Sequence, residues 1–188
     1  MKTISNMNNR DKGYTLIELL AVAGLIMAIS GLIGGILFSS LRGGAKSKST
    51  NEVSQNGNQA LSIITRAIAP ATLVTAIDGL PITDCVTPHP SGQSISLLQA
   101  DGATTTLACN SEVLTQNDGA TTTKLIDDTK VKVESGTCSF TCKQQDPLAV
   151  PIVEIEFTVT QKITSPSVED SARSNFRTSI TLRNFNAF

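Results

Sequence analysis

The stretch KGYTLIELLAVAGLIMAISGLIGGILF, residues 12–38, decides the architecture. From Leu19 to Leu41 there is no charged residue, and a helix of that length at about 1.5 Å per residue spans roughly 35 Å, enough to cross a bilayer. The run is too long for the apolar core of an ordinary secretory signal, and no small-x-small cleavage site follows it directly. A retained membrane helix is therefore expected over residues 14–41. One residue is out of place in it, Glu18. A carboxylate near the bilayer centre costs on the order of 3 kcal/mol, so it persists only with a partner or with an escape to water. Its position in the first helical turn offers one local reason, because negative charge suits the helix dipole there and can snorkel to the interface.

The residues before Glu18 point to a second reason. A short polar, basic leader ends in Lys12 and Gly13, followed by Tyr14, Thr15, Leu16, Ile17, Glu18, Leu19 and Leu20. This pattern resembles the N-terminal motif of type IV prepilins and the related pseudopilins, with tyrosine in the place of the commonest phenylalanine. The resemblance implies cleavage after Gly13 by a prepilin peptidase on the cytoplasmic side and methylation of the new amino group on Tyr14. Such an amine, with an unperturbed pKa of about 8, is mostly cationic at neutral pH. It would lie one helical turn from Glu18 of its own chain and could meet Glu18 of a neighbour, a pairing that helps fix axial register as subunits join a filament. Gly24, Gly31, Gly34 and Gly35 each cost up to about 1 kcal/mol relative to alanine in a helix. Close packing through small residues is one use for them. Related pilins have a stretch here that unwinds inside filaments, which makes Gly31, Gly34 and Gly35 melting candidates. The family's frequent proline is absent, so an unbroken or gently curved helix is expected in the isolated subunit.

With 188 residues and a net charge of -1, the chain has room for one domain and an appendage and has no general pull toward nucleic acid. The four cysteines, Cys85, Cys109, Cys138 and Cys142, all follow the apolar run, and an even number favours disulfides in a noncytosolic domain. They place the C-terminal part outside the cytoplasm, which the flanking charges do not settle: Lys2, Arg10 and Lys12 stand against Arg42, Lys46 and Lys48. Of the three pairings, Cys85 with Cys109 and Cys138 with Cys142 is preferred, although the second demands a bend, since an extended CSFTC holds its ends roughly 13 Å apart against about 5.5 Å for a bridge. A zinc site with His89 is the competing reading, but paired CxxC knuckles are lacking. No metal or other cofactor is assigned.

Beyond Leu41 a polar stretch with Gly43 and Gly44 is able to loosen the helix, after which Val53, Gly57, Ala60, Leu61, Ile64 and Ile68 recur at helical steps until Pro70. That stripe is expected to pack on a sheet, with contact to neighbouring subunits as the alternative for part of it. An internal repeat follows, QADGATTT at 99–106 and QNDGATTT at 116–123. Asp-Gly between β-prone flanks is a strong hairpin signal, so residues 94–126 are predicted to form two hairpins, a reading preferred over calcium ligation by the aspartates. TKVKVE at 129–134, the stretch from Val153 to Ile163, and Phe176, Ile180 and Leu182 near the end alternate as half-buried strands do. FRTSITLRN and LIDDTKVKVES loosely resemble the J-class minor pseudopilins of type II secretion and comparable minor pilins.

The expectation is an α+β, pilin-like fold: a leader (1–13), a transmembrane or filament-core helix (14–41), a linker and amphipathic second helix half (42–69), and a β-rich globular domain (70–188) on an antiparallel sheet. His89, in TPHPS, has no nucleophile or acid spaced for a triad, which argues against an enzyme. The resemblance implies a structural subunit of a type IV pilus or type II secretion-like filament. Its partners would be the prepilin peptidase, other pilin or pseudopilin subunits and an inner-membrane assembly platform. The second hypothesis is an unprocessed, membrane-anchored binding or adhesion module.

Overall fold

Two periodicities in one helix build the molecule. The computed structural model describes residues 14–86, 88–162 and 172–185, and contacts divide the chain between Gly44 and Ala45. Helix α1 (Leu16–Ile68, 53 residues) is assigned without a break at Gly43 or Gly44, because glycine weakens a helix by about 1 kcal/mol without removing a backbone donor as proline does. The helix ends just before Pro70, as the missing N–H requires. In its second half, Val53, Gly57, Ala60, Ile64 and Ile68 are buried, while Gln55, Asn58, Gln59 and Arg66 stay exposed. The predicted stripe is thus the buried face of this half.

Eleven strands follow among the described residues, all paired antiparallel, and with α1 they make an α+β architecture. The first sheet contains β1 (Leu73–Ile77), β2 (Leu80–Pro81), β4 (Ser94–Leu98), β5 (Thr104–Asn110), β6 (Val113–Asn117) and β7 (Thr122–Lys124), in the order β2-β1-β4-β5-β6-β7. The second runs β11 (Arg173–Thr181), β10 (Ile152–Gln161), β9 (Ser139–Lys143), β3 (Ser91–Gly92). Its remaining strand, β8 (Val131–Val133), shares one edge of β10 with β9: β9 takes Ile152 to Glu156 and β8 takes Val159 to Gln161.

Both Asp-Gly repeats are hairpin turns. Gly102 and Gly119 take φ of 83° and 85°, and the loops are closed by Gln99 N to Ala103 O (2.8 Å) and Asp118 N to Thr121 O (3.2 Å). Between them a further turn joins β5 to β6 through Ser111 and Glu112, both at positive φ (42° and 75°) without glycine or asparagine to announce it. A third Asp-Gly, Asp78-Gly79, turns β1 into β2 at φ of 49° and 74°. The Asp78 carboxylate accepts hydrogen bonds from Gln93 N (2.7 Å) and Ser94 N (2.8 Å), fastening that turn to β4.

The core joins the buried stripe of α1 to both sheets, with Leu97, Leu107 and Leu114 from the first and Phe140, Phe157 and Val159 from the second. Alternation in β10 buries Val153, Ile155, Phe157 and Val159, as its pattern predicts; Ile163 lies outside the described residues. Phe157 and Phe176 are register partners whose rings stack at 5.4 Å and 21°. Polar ties also hold the helix, one within the buried stripe and two at its end. Asn56 Oδ1 accepts from Asp127 N (2.8 Å), Gln99 Nε2 donates to Ala67 O (3.0 Å), and Arg183 N donates to Ala69 O (2.8 Å). The last two satisfy carbonyls that a helix C-terminus leaves unpaired.

The cysteines pair differently from the expectation. The bonds are Cys85–Cys142 and Cys109–Cys138, with Cα separations of 5.3 and 6.3 Å. The physical reason is β9: residues 139–143 are extended, so the bend that a Cys138–Cys142 bridge needs is not made. Cys109–Cys138 instead ties β5 to the residue before β9, Cys85–Cys142 ties the β2–β3 connection to β9, and the two loops are nested. Closing loops with sequence separations of 57 and 29 restricts the unfolded chain by about 4 kcal/mol each in the chain-entropy treatment.

At Gly57 the Phe176 ring lies where a Cβ would stand. Alanine there gains about 1 kcal/mol of helix propensity, but overpacking costs about 1–3 kcal/mol, and Phe157 stacked on the ring limits its retreat. Gly57→Ala is expected to lower unfolding stability, read from the urea midpoint of the full chain, and Gly57→Val to lower it further.

Candidate functional site

The first half of α1 is the candidate site. Thr15 starts it: its carbonyl accepts from Glu18 N (3.1 Å) and Leu19 N (3.2 Å), and its hydroxyl lies 3.4 Å from Glu18 N. This is one side of a Ser/Thr-x-x-Glu capping arrangement, and it places Glu18 in the first turn, where the dipole favours negative charge. Tyr14, 82% exposed, precedes the cap. Gly13 and the rest of the predicted leader lie outside the described residues.

None of residues 14–41 is buried, and sixteen large apolar side chains from Tyr14 to Leu41 are exposed. Keeping such a side chain in water instead of burying it costs about 1.5–3 kcal/mol, so the set amounts to tens of kcal/mol. An exposed apolar surface of that extent is of the kind that meets lipid or other chains. The helix is long and apolar enough to span a membrane.

The glycines separate into two kinds. At Gly24, Gly31, Gly34 and Gly35 an added Cβ meets nothing within 4 Å. Among the described residues nothing packs against these positions, in contrast to Gly57. At about 100° per residue, Ala21, Gly24, Ala28, Gly31, Gly35 and Ser39 fall within one narrow sector of the helix. Ile17 shares that sector at its N-terminal end, and the leucines, phenylalanine and remaining isoleucines lie in the other sectors.

Elsewhere the candidate residues are engaged structurally. The His89 Nδ1 lies 3.0 Å from the Cys85 carbonyl. Gln144 exchanges both of its polar ends with its surroundings. Its Oε1 accepts from Cys85 N (3.0 Å), and its Nε2 donates to Pro147 O (3.1 Å) and Ala149 O (2.6 Å). All four cysteines are oxidised, and among the described residues no group of three or more His, Cys, Asp or Glu side chains is placed to hold a metal. One cavity of the β-rich unit, of about 330 Å³, is lined by Leu73, Asp84, Gln144, Leu148 and Phe185.

Charge on the outer face of the second sheet is ordered by Glu154, which meets Lys143 Nζ at 2.8 Å and Arg177 Nη2 at 3.4 Å. The hydrogen bond from Lys143 holds the Glu154 carboxyl below the usual carboxylate range, with the charge of Arg177 adding to it. No protein-family model, curated protein or solved structure matches the chain.

A carboxylate with a depressed folded-state pKa contributes stability above its unfolded pKa of about 4.3 and loses it as pH falls through the folded value. Wild-type stability is therefore expected to fall more between neutral pH and acid than that of Glu154→Gln, in parallel denaturant titrations. Identical pH profiles would show that Glu154 adds nothing.

Proposed function

We propose that this chain is a structural, noncatalytic subunit of a type IV pilus or type II secretion-like filament with a pilin-like fold. In this reading it is processed after Gly13, N-methylated at Tyr14 and assembled through the first half of α1. The supporting observation is an apolar helix half that is exposed among the described residues, carrying one carboxylate, Glu18, four residues beyond the residue that processing would make the N-terminus. A membrane anchor alone accounts for the apolar surface but gives the carboxylate no partner.

Processing would supply one. A cationic amine on Tyr14 answers the on the order of 3 kcal/mol that a membrane-embedded carboxylate costs, either within the chain or in a neighbouring subunit. The small-residue sector suits close approach of a second helix. Gly31, Gly34 and Gly35 each weaken the helix by about 1 kcal/mol relative to alanine, which eases local extension on assembly. The prepilin peptidase, sister subunits and an inner-membrane assembly platform are the partners of this reading. The path is from a single-pass cytoplasmic-membrane protein, N-terminus inside and β-rich domain outside, to a filament. The elaborate, hairpin-bearing domain favours a minor over a major subunit.

Mass spectrometry of the mature chain tests the proposal: it should begin at methylated Tyr14, and Gly13→Leu should retain residues 1–13. A wild-type chain that keeps its leader would instead favour the unprocessed anchored module. Glu18→Gln separates the two roles of the glutamate. Glutamine preserves the capping chemistry and removes the charge, so the variant should be processed and membrane-inserted yet lost from sheared filaments. Normal incorporation would leave Glu18 as a cap only.

A further inference from the structure

The two disulfides occupy unlike surroundings. Cys142 is fully buried, and Cys85 shows 2% of its surface although it borders a cavity. Their neighbourhood is also braced from both directions, by Cys85 N to Gln144 Oε1 and by Gln144 N to Cys85 O, each 3.0 Å. Cys109, by contrast, is half-buried at the end of β5, and Cys138 is 7% exposed just before β9. Both line the same surface cavity of about 160 Å³, together with Gln93, Ser111, Glu112 and Ser135. Thiol–disulfide exchange needs an attacking thiolate at a sulfur, so access governs which bond reacts.

The backbone around the accessible bond is built to survive its opening. The 134–138 turn is held by Thr137 Oγ1 donating to Glu134 O (2.7 Å), and it is fastened to β10 by Thr158 N to Thr137 Oγ1 (3.1 Å) and Glu134 N to Thr158 O (2.9 Å). Nesting adds a second safeguard. The Cys109–Cys138 loop lies inside the Cys85–Cys142 loop in sequence, so breaking the inner bond leaves the outer one holding the β2–β3 connection to β9.

We propose that Cys109–Cys138 is a thiol-exchange site, opened and closed by an external dithiol, and that Cys85–Cys142 is a permanent clamp. A thiolate of the dithiol attacks Cys109 Sγ, the more exposed end. A mixed disulfide forms there, and the Cys109–Cys138 bond breaks with its electron pair leaving on Cys138 Sγ, which takes a proton. The second thiolate of the dithiol then attacks its partner sulfur in the mixed disulfide, and Cys109 Sγ leaves and is protonated. The dithiol is oxidised to its own disulfide by two electrons, and the chain gains two thiols. This reaction frees β5 from the start of β9 and stands independently of how the N-terminal helix is used.

Graded dithiothreitol on the full chain in detergent, quenched with N-ethylmaleimide and read by peptide mass spectrometry, tests the assignment. Cys109 and Cys138 should label at least about tenfold faster than Cys85 and Cys142, as the difference in access requires. Equal rates, or earlier labelling of Cys85 and Cys142, would overturn it. The Cys109→Ser/Cys138→Ser double variant should keep a cooperative melt and an intact Cys85–Cys142 bond under the dithiothreitol concentration that opens the inner bond in wild type. A double variant that does not fold would refute the claim that the outer bond suffices as a clamp.

Discussion

Where the Phe176 ring lies against the Gly57 backbone, α1 comes near enough to the second sheet for one aromatic to fill the space between them. Phe157 stacks behind that ring from the neighbouring strand, so a helix residue without a side chain and two phenylalanines in register act as one contact. The buried stripe of α1 continues the seal on either side, with Val53 before the glycine and Ala60, Ile64 and Ile68 after it. Hydrogen bonds then take over at the helix end, through Gln99, Arg183 and Asn184. Covering one face of this half is what sets it apart from the other half. Residues 14–41 have no share in the core and present their apolar surface outward.

Much of this was legible because each signal was local. The buried face of α1 follows from residues recurring at steps of three and four, and the alternation of Val153 to Val159 names the buried face of β10. The two Asp-Gly repeats announce their turns chemically. What escaped had no local signature or was non-local. Ser111 and Glu112 turn the chain at positive φ without a residue type that favours it, so the pairing of β5 with β6 that links the two expected hairpins into one four-stranded meander had no signal of its own. Asp78-Gly79 carried the same signal as the repeats, within AIDGLP, and could have been read as the β1–β2 turn. The site is legible in a different sense: Thr15, Glu18 and the glycines stand out in the sequence itself, while their exposure is a property only the folded chain displays.

The disulfides show most plainly why proximity in sequence misleads. Cys138 and Cys142 are close in number, yet β9 stretches the residues between them and sets the two side chains apart. Meanwhile the folding of two sheets over one core brings Cys142 to Cys85 and Cys138 to Cys109 across much longer stretches of chain. A preference for short loops assumes that the loop is free to bend. Strand pairing removes that freedom, and the pairing is non-local: β9 is held by β10 and β3, not by anything within five residues of itself.

Glu18 is where local and intermolecular explanations compete, and magnitudes help to separate them. The Thr15 hydroxyl sits 3.4 Å from Glu18 N, a long and therefore weak cap. A first-turn carboxylate gains about 0.3–1 kcal/mol from the dipole, whereas its burial in lipid costs on the order of 3 kcal/mol. The dipole alone cannot hold a charge in an apolar setting when glutamine would cap the same turn at less expense. The balance closes if the carboxylate stays in water at the interface, or if a cation meets it. Along residues 14–41 there is no lysine or arginine, so a cation from this part of the chain would have to be a backbone amine. Under the proposed processing, cleavage after Gly13 would create one four residues away, and the leader and the isolated glutamate would then be two parts of one electrostatic arrangement.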